Sequence, residues 1–247
     1  MEEKSYPYLY LDATYLKVRW GARVTSMALL VCVVGVEEEG FREVLAVEVA
    51  ATEKGVAYAS LLRGLIDRGL SGVRLVVSDD HEGIKAAVSG EMPGVEWQRC
   101  VVHFERNVIS HVPASEMSEI AEDLKAIFKV RREKTARELA KEFVELYGSR
   151  FPKAVSVFEA GIDDALSYLS FPGSHHARLR TTNMLERLFR EVKRRTRVVG
   201  VFPNEASAST LATEIALRSS EQWALKRYLT MDVLEALEKP NPQLSRH

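Results

Sequence analysis

Two aspartates in this sequence stand where a carboxylate needs a compensating partner. Asp12 lies inside the apolar and aromatic run YLYLDAT at residues 8–14, and Asp79 follows the apolar run LVV at residues 75–77. A carboxylate within a buried strand is costly to desolvate unless hydrogen-bond donors or a cation offset its charge. Asp79 stands at the carboxyl end of its strand, where open α/β sheets place ligand-binding groups. We therefore interpret both aspartates as candidate site residues.

The chemistry that suits this pair depends on how close the two carboxylates lie. If the first strand is central and the fourth lies beside it, Asp12 and Asp79 face one another. Two close carboxylates repel and share a proton unless a divalent metal supplies the opposing charge. Oxygen-only ligation with positions left for water and phosphate is typical of Mg²⁺ or Mn²⁺. Two alternatives stay open, namely that Asp79 only caps a turn and that its neighbour Asp80 is the ligand instead.

A third acid comes from a helix that we predict over residues 182–197, whose apolar face has helical spacing at Leu185, Leu188, Phe189 and Val192. A rotation of about 100° per residue puts Glu186 beside that face, at the start of a polar stripe, whereas Glu191 projects close to the opposite side. The alternative is an ordinary surface glutamate. The stripe consists of Asn183, Glu186, Arg190, Lys193 and Arg197. A glutamate beside a line of cations suits a bound phosphodiester, and the predicted phosphate contacts are Arg187, Arg190, Lys193, Arg194 and Arg197.

The elements that must position these acids follow from the apolar periodicity. The order is three strands, helix, strand, helix and strand, which is typical of a ribonuclease-H-like α/β core, a mixed sheet with helices. The predicted strands lie at residues 8–12, 27–36, 43–50, 75–77 and 97–104, and the predicted helices at residues 53–69 and 82–88. Residues 114–170 are charge-rich with helical apolar spacing, which indicates an all-helical insertion before the last acid.

The remaining residues return to the core. We predict one core in two parts, residues 1–113 and 171–239, the second carrying the helix at 182–197 and another at 205–223, followed by a tail at 240–247. The chain has 247 residues, of which 46% are hydrophobic, and this composition excludes a disordered protein. No apolar run approaches the roughly 18 residues of a membrane span, and the N-terminus lacks a secretory pattern. We expect a cytoplasmic protein with no membrane partner.

Charge is unevenly distributed along the chain. The formal net charge is only −1, which excludes a uniformly basic nucleic-acid coat. Residues 178–197 nevertheless hold eight Lys or Arg residues against Glu186 and Glu191, which indicates a local basic surface suited to phosphates. The two cysteines, Cys32 and Cys100, lie far apart and do not suggest a disulfide framework.

Four motifs in this order resemble the bacterial Mutator-type insertion-sequence transposases. They are YLYLDATYLKVR at residues 8–19, VSDDHEGIKAA at 77–87, WQRCVVHFERN at 97–107 and TNMLERLFREVKRRTRVVGVFPN at 182–204. The resemblance implies a ribonuclease-H-like fold, an all-helical insertion before the last acid, and a catalytic and metal-binding triad of Asp12, Asp79 and Glu186. It also implies DNA as the partner, both element ends and target, with a homo-oligomer expected as the active form.

The motif Cys100-x-x-His103 has two interpretations. As half of a zinc site it would need another Cys or His pair, and no other pair has convincing spacing. The resemblance implies instead that Cys100 and His103 support the active site with DNA, and we expect Asn183 to support it too. The alternative is a purely structural pair, a partly buried cysteine beside a histidine whose hydrogen bonds are satisfied within the fold.

The sequence departs from the family pattern at its beginning. Members usually carry an N-terminal region that binds the element's terminal repeats, whereas here the catalytic strand begins within a dozen residues of Met1. We therefore expect a truncated copy or a catalytic fragment that binds DNA weakly and with little specificity. Asp80 also stands where a small residue is commoner in the family.

We predict metal-dependent cleavage and strand transfer of DNA. Two alternatives are a ribonuclease-H-like nuclease that only hydrolyses, and a non-catalytic DNA-binding remnant that modulates an intact transposase through mixed oligomers.

Overall fold

A five-stranded mixed sheet forms the centre of the molecule. The computed structural model describes residues 4–20, 23–51 and 56–234. The strands are β1 (Tyr8–Trp20), β2 (Arg23–Val36), β3 (Arg42–Ala51), β4 (Leu75–Ser78) and β5 (Glu96–Arg99), in the spatial order β3-β2-β1-β4-β5. β1, β2 and β3 pair antiparallel, whereas β1–β4 and β4–β5 pair parallel. The predicted mixed α/β architecture is confirmed.

The first part of β1, residues 8–12, is buried on both faces of the sheet, which explains the nearly continuous apolar sequence there. Successive side chains of a strand point to opposite faces of the sheet. Tyr8 and Tyr10 therefore enter one hydrophobic core, while Leu9 and Leu11 enter the other. Because Asp12 follows Tyr10 by two residues, it belongs to the face of the two tyrosines.

Helices cover both faces of the sheet. The Leu9 face packs against α1 (Val56–Asp67) and α2 (Glu82–Glu91). The Tyr10 face packs against α3 (Val101–Ile109), α9 (Asn183–Val199) and α10 (Glu205–Ala224). Between α3 and α9 the chain forms α4 (Met117–Lys129), α5 (Glu133–Tyr147), α6 (Pro152–Glu159), α7 (Ile162–Leu166), a 3₁₀ turn at Ser167–Ser170 and α8 (His176–Leu179).

This helical segment is joined to the sheet by aromatic packing and by one buried amide. The Phe104 ring of α3 lies 6.1 Å from the Phe128 ring and 5.8 Å from the Phe158 ring. The Gln98 side chain of β5 donates to the Ala165 carbonyl at 2.8 Å and accepts from the Tyr168 amide at 2.7 Å. The segment therefore shares one continuous core with the Tyr10 face of the sheet.

Two predicted strand boundaries are wrong. The first strand continues past Asp12 to Trp20, because its second half pairs with β2 as far as Trp20 opposite Arg23. The strand predicted at 97–104 ends at Arg99, and α3 begins at Val101. Val101, Phe104 and Val108 are the buried residues of α3 and have helical rather than alternating spacing.

Two other expectations concern the C-terminal tail and membrane spans. The predicted tail at 240–247 lies outside the described residues. Among the helices of the described ranges, none has the length and the apolar composition of a membrane span.

Candidate active site

The three acids singled out in the sequence line one cleft on the Tyr10 face of the sheet. We call this the acid cleft. Its volume is about 360 Å³, and it is lined by Asp12, Ala13, Thr14, Asp79, His103, Glu186, Phe189, Arg190 and Lys193. Residues from β1, the end of β4, α3 and α9 therefore meet around one space.

Strand register brings the two aspartates together. In the parallel pairing of β1 with β4, Tyr10 lies opposite Val77. Asp12 and Asp79 each follow this pair by two residues, so they reach the same height on the same side of adjacent strands. The neighbouring Asp80 turns away, and its carboxylate lies 3.0 Å from a guanidinium nitrogen of the buried Arg99. The geometry therefore separates the two adjacent aspartates, and only Asp79 lines the cleft.

Glu186 is positioned by the apolar face of α9 and by an anchor at its N-terminus. The predicted apolar residues Leu185, Leu188, Phe189 and Val192 are all buried. Thr182, the buried N-cap residue, donates from its amide and its hydroxyl to Cys100 Sγ, each at 3.5 Å. Glu186 lies one turn after this anchor. The sequence predicts the start of this helix at Thr182, but no local pattern indicates the contact of Thr182 with Cys100 Sγ.

His103 lies between two of the acids. Its Nδ1 is 3.2 Å from Asp79 Oδ1, and its Nε2 is 3.2 Å from Glu186 Oε1. The Asp79 carboxylate, together with Cys100, raises the pKa of His103 well above its ordinary value, which favours the charged imidazole. The contact with Asp79 is a charge contact without hydrogen-bond alignment, because Asp79 Oδ1 and His103 Nδ1 are both buried without a hydrogen-bond partner.

The two aspartates differ in their tendency to ionise. Asp12 is 4% exposed, and its carboxylate accepts one hydrogen bond, from the Ala13 amide at 2.8 Å. Burial and then the nearby charge of Asp79 raise the pKa of Asp12 to about 7. Burial also acts to raise the pKa of Asp79, but the contact with protonated His103 outweighs it and the pKa falls below its ordinary value.

The donor chemistry of the cleft fits a hard divalent cation. Three carboxylates provide oxygen ligands, and the buried Asp79 Oδ1 has no hydrogen-bond partner. The positions of these side chains suit a metal ion less well than their ligand chemistry does. Within the described residues, no group of three or more His, Cys, Asp or Glu side chains is placed to hold a metal ion. His103 contributes to this, because it stands between Asp79 and Glu186.

The predicted basic stripe of α9 is only partly directed toward the cleft. Arg190 and Lys193 line it. Arg194 donates to Glu191 at 2.7 and 2.8 Å, on another side of the helix. Arg187 is exposed and does not line the cleft. Asn183 and Arg197 are exposed and do not line the cleft.

Comparisons with known proteins identify a family and relatives of the chain. The family model described as "Transposase, Mutator family" matches residues 1–225. The transposase for insertion sequence element ISRM5 of Rhizobium meliloti is 39% identical over 238 residues, covering 96% of this chain and 60% of the relative. The transposase for IS256 in transposon Tn4001 of Staphylococcus aureus is 34% identical over 236 residues, covering 94% and 60%. The chain thus spans about three fifths of the length of these relatives.

The fold is similar to that of a solved structure. The chain of the Drosophila P element transposase strand transfer complex aligns with a TM-score of 0.51 and 10% identity, over 88% of this chain and 78% of that one. At this identity the likeness concerns the fold alone.

Proposed function

The chain belongs to the Mutator family of transposases, and on that premise we propose that it cleaves DNA phosphodiester bonds and transfers the freed strand to target DNA in a metal-dependent reaction. The observation that carries this proposal is the meeting of Asp12, Asp79 and Glu186 in one cleft with Arg190 and Lys193. Acids that hold cations and cations that hold phosphates are both needed for phosphodiester chemistry, and here they share one space.

The fold supports a finer assignment. The order β3-β2-β1-β4-β5, with three antiparallel strands followed by two parallel ones, supports a ribonuclease-H-like core. In this assignment the core comprises residues 1–113 and 171–239. The helices from α4 to α7 then form an insertion at residues 114–170, which places them just before the segment that carries the last acid.

Asp12, Asp79 and Glu186 are the residues that would hold Mg²⁺ or Mn²⁺. When bound, such ions activate water or a 3′ hydroxyl as the nucleophile and stabilise the leaving oxygen. The chain's own contribution is to hold these acids in one cleft, with Asp12 buried, where charge interactions are stronger than in water. His103 places a positive charge between the carboxylates of Asp79 and Glu186.

Arg190 and Lys193 would orient the DNA by its phosphates. Both line the cleft and both are exposed at the surface of α9. Contacts of this kind set the position of DNA without reading its sequence. Arg197 follows Lys193 by four residues on the same helix and would extend the track, while Arg187 would contact phosphates on another side. Arg194 would first have to leave Glu191.

A strand-transfer assay tests the proposal. The substrate is a duplex with a free 3′ hydroxyl, the target is a plasmid, and Mg²⁺ or Mn²⁺ is added. Joined product is expected. Cleavage without joining would favour a hydrolysis-only nuclease, and neither product would favour a non-catalytic DNA-binding protein.

Two matched pairs of variants make this assay specific to the cleft. Glu186→Gln should abolish joining, whereas Glu191→Gln on the same helix should retain it. Asp79→Asn should abolish joining, whereas Asp80→Asn should retain most of it. Full activity of Asp79→Asn together with loss in Asp80→Asn would show that the wrong neighbour has been assigned.

A further inference from the structure

Arg42 and Arg178 pack on the ring of Tyr228, and Arg187 and Arg227 add two further positive charges to this region. The Arg42 guanidinium of β3 lies 4.2 Å from the Tyr228 ring centroid, and that of Arg178 in α8 lies 4.9 Å from it. Arg187 of α9 is close enough for its charge to act on both Arg42 and Tyr228. Arg227 follows α10 and borders the same cavity as Arg178, and its guanidinium lies 5.6 Å from the Phe41 ring centroid. We call Arg42, Arg178, Arg187 and Arg227, together with Tyr228, the arginine cluster.

The cluster borders a cavity with further hydrogen-bond donors. The cavity has a volume of about 440 Å³, and its lining includes Arg178, Arg227 and the hydroxyl residues Ser174, Tyr228 and Thr230. Burial raises the pKa of Tyr228, so its hydroxyl keeps its proton at neutral pH. Guanidinium and hydroxyl groups converging on one space are the donors with which proteins hold phosphate oxygens.

Among the described residues, no carboxylate forms an ion pair with the cluster. In the part of the chain that the structure describes, none of the four arginines forms an ion pair, whereas Arg194 and Arg195 of α9 both pair with Glu191. The Arg42 Nε is buried without a hydrogen-bond partner. Burial first, and then the neighbouring arginines, lower the pKa of Arg42, which reflects the cost of gathering these cations.

The cluster lies on the same face of the sheet as the acid cleft and is tied to the same strand. The Tyr10 hydroxyl of β1 donates to the Arg178 carbonyl at 3.2 Å. Asp12 follows Tyr10 by two residues, a step of about 7 Å along the strand. On α9 the adjacent residues Glu186 and Arg187 divide between the two sites, with Glu186 in the cleft and Arg187 at the cluster.

We propose that the arginine cluster binds a phosphate group of the DNA backbone at a second point, separate from the phosphodiester held at the acid cleft. The ligand rests on the proposed function, since DNA is the substrate proposed for the cleft. This second contact point is distinct from the basic stripe of α9, because Arg42, Arg178 and Arg227 belong to other parts of the fold. A phosphate held there fixes the direction in which the DNA leaves the cleft without reading its sequence.

The test measures binding by fluorescence anisotropy, using two unrelated labelled duplexes at several salt concentrations. Each phosphate contact that is lost lowers the slope of log affinity against log salt by roughly one. Arg178→Ala and Arg227→Ala should each lower the slope by about one, and the double variant by about two, equally for both duplexes. Lys153→Ala, an exposed charge on α6, is the matched control and should leave the slope unchanged.

Several outcomes would overturn the proposal. An unchanged slope in the double variant would do so, as would an equal fall in Lys153→Ala, which would indicate only a net-charge effect. If inorganic phosphate raises the melting temperature of the parent protein but not of the double variant, and the DNA slope stays unchanged, the site binds a free anion instead. Arg178 packs on Tyr228, so Arg227→Ala with its exposed side chain decides the matter if Arg178→Ala does not fold.

The proposed function can fail or succeed independently of this result. Asp79→Asn should lose cleavage while keeping the parent slope, since it removes no phosphate contact. Loss of cleavage in that variant, together with unchanged slopes in the arginine variants, would leave the proposed function standing and remove only the second phosphate site. A parent protein without DNA binding would contradict both.

Discussion

The acid cleft and the arginine cluster share one face of the sheet but balance their charges in opposite ways. In the cleft, His103 lies 3.2 Å from both Asp79 and Glu186 and provides an internal counter-charge. In the cluster, Arg42 and Arg178 pack on Tyr228, and within the described residues none of the four arginines forms an ion pair with a carboxylate. Since like charges gathered in a folded protein cost stability unless something offsets them, the difference indicates different ligands. The cleft is suited to a cation and a phosphate together, and the cluster to a phosphate alone.

The largest expected difference between the acid cleft and the arginine cluster is in the rate of DNA cleavage. Asp12→Asn or Asp79→Asn should lower the rate of cleavage by about 10³-fold or more, because metal-based charge stabilisation contributes several kcal/mol and each 1.4 kcal/mol is about tenfold in rate. Arg178→Ala should lower the rate far less when DNA is saturating. Single-turnover cleavage of a labelled duplex measures both. Equal losses in the two kinds of variant would remove the distinction between a chemical and a binding site.

The second prediction concerns the pH dependence of stability in the metal-free protein. The pKa of Asp12 is raised from 3.8 to about 7, so the folded state holds this proton more tightly than the unfolded state does. The ionised Asp12 therefore destabilises the fold increasingly from about pH 4 to 7, and fully above pH 7. Asp12→Asn should be stabilising at pH 8, by up to about 4 kcal/mol at 1.36 kcal/mol per pKa unit, and nearly neutral at pH 4.

Urea unfolding in the presence of a chelator measures this difference. Glu191→Gln, which alters an exposed acid of α9, serves as the control and should show no such gain at pH 8. A destabilised Asp12→Asn variant at pH 8 would contradict the assignment of Asp12 as a buried, uncompensated carboxylate.

The third prediction removes the internal counter-charge of the cleft. His103→Ala leaves Asp79 and Glu186 without the cation between them, so the metal-free protein should lose about 1–2 kcal/mol of stability at pH 7. The figure is below that of a fully buried pair because the Asp79 side chain is 43% exposed. Added Mg²⁺ should recover most of the loss, whereas it should not help His111→Ala. A His103→Ala loss that is insensitive to Mg²⁺ would mean that His103 contributes through packing alone.

The sequence predicted the acid cleft better than its surroundings, for identifiable reasons. Asp12 lies within a buried apolar run and Asp79 just after another, and Glu186 lies on a helix with a clear apolar face. The boundary at Cys100 was missed because residues 97–104 are short and apolar, and such a run fits a strand and a buried helix equally well. The consequence was that the position of His103 between Asp79 and Glu186 could not be foreseen.

The arginine cluster could not be predicted from the sequence at all. Arg42, Arg178 and Arg227 are far apart along the chain, and no spacing rule links them. They meet because β3, α8 and the segment after α10 pack around Tyr228. Local patterns identify residues on one element, whereas this site depends on the packing of several elements.

The last prediction distinguishes two kinds of basic residue on α9, those that line the cleft and one that is paired with a carboxylate. Arg190 and Lys193 line the acid cleft, while Arg194, the next residue, donates to Glu191 at 2.7 and 2.8 Å. Arg190→Ala and Lys193→Ala should each lower the salt slope of DNA binding by roughly one, equally for unrelated duplexes. Arg194→Ala should lower it much less, because that guanidinium already has a carboxylate partner.

This result would allow the acid cleft and the arginine cluster to be compared directly, since the change in salt slope then measures the phosphate contacts of both. A helix whose charges only keep the protein soluble predicts no change in slope for any of the three variants. An unchanged slope in the Arg190→Ala, Lys193→Ala double variant would therefore exclude a phosphate track along α9, even if the acid variants lose cleavage. In that case DNA would be oriented by contacts outside α9, and the arginine cluster would be the first place to measure them.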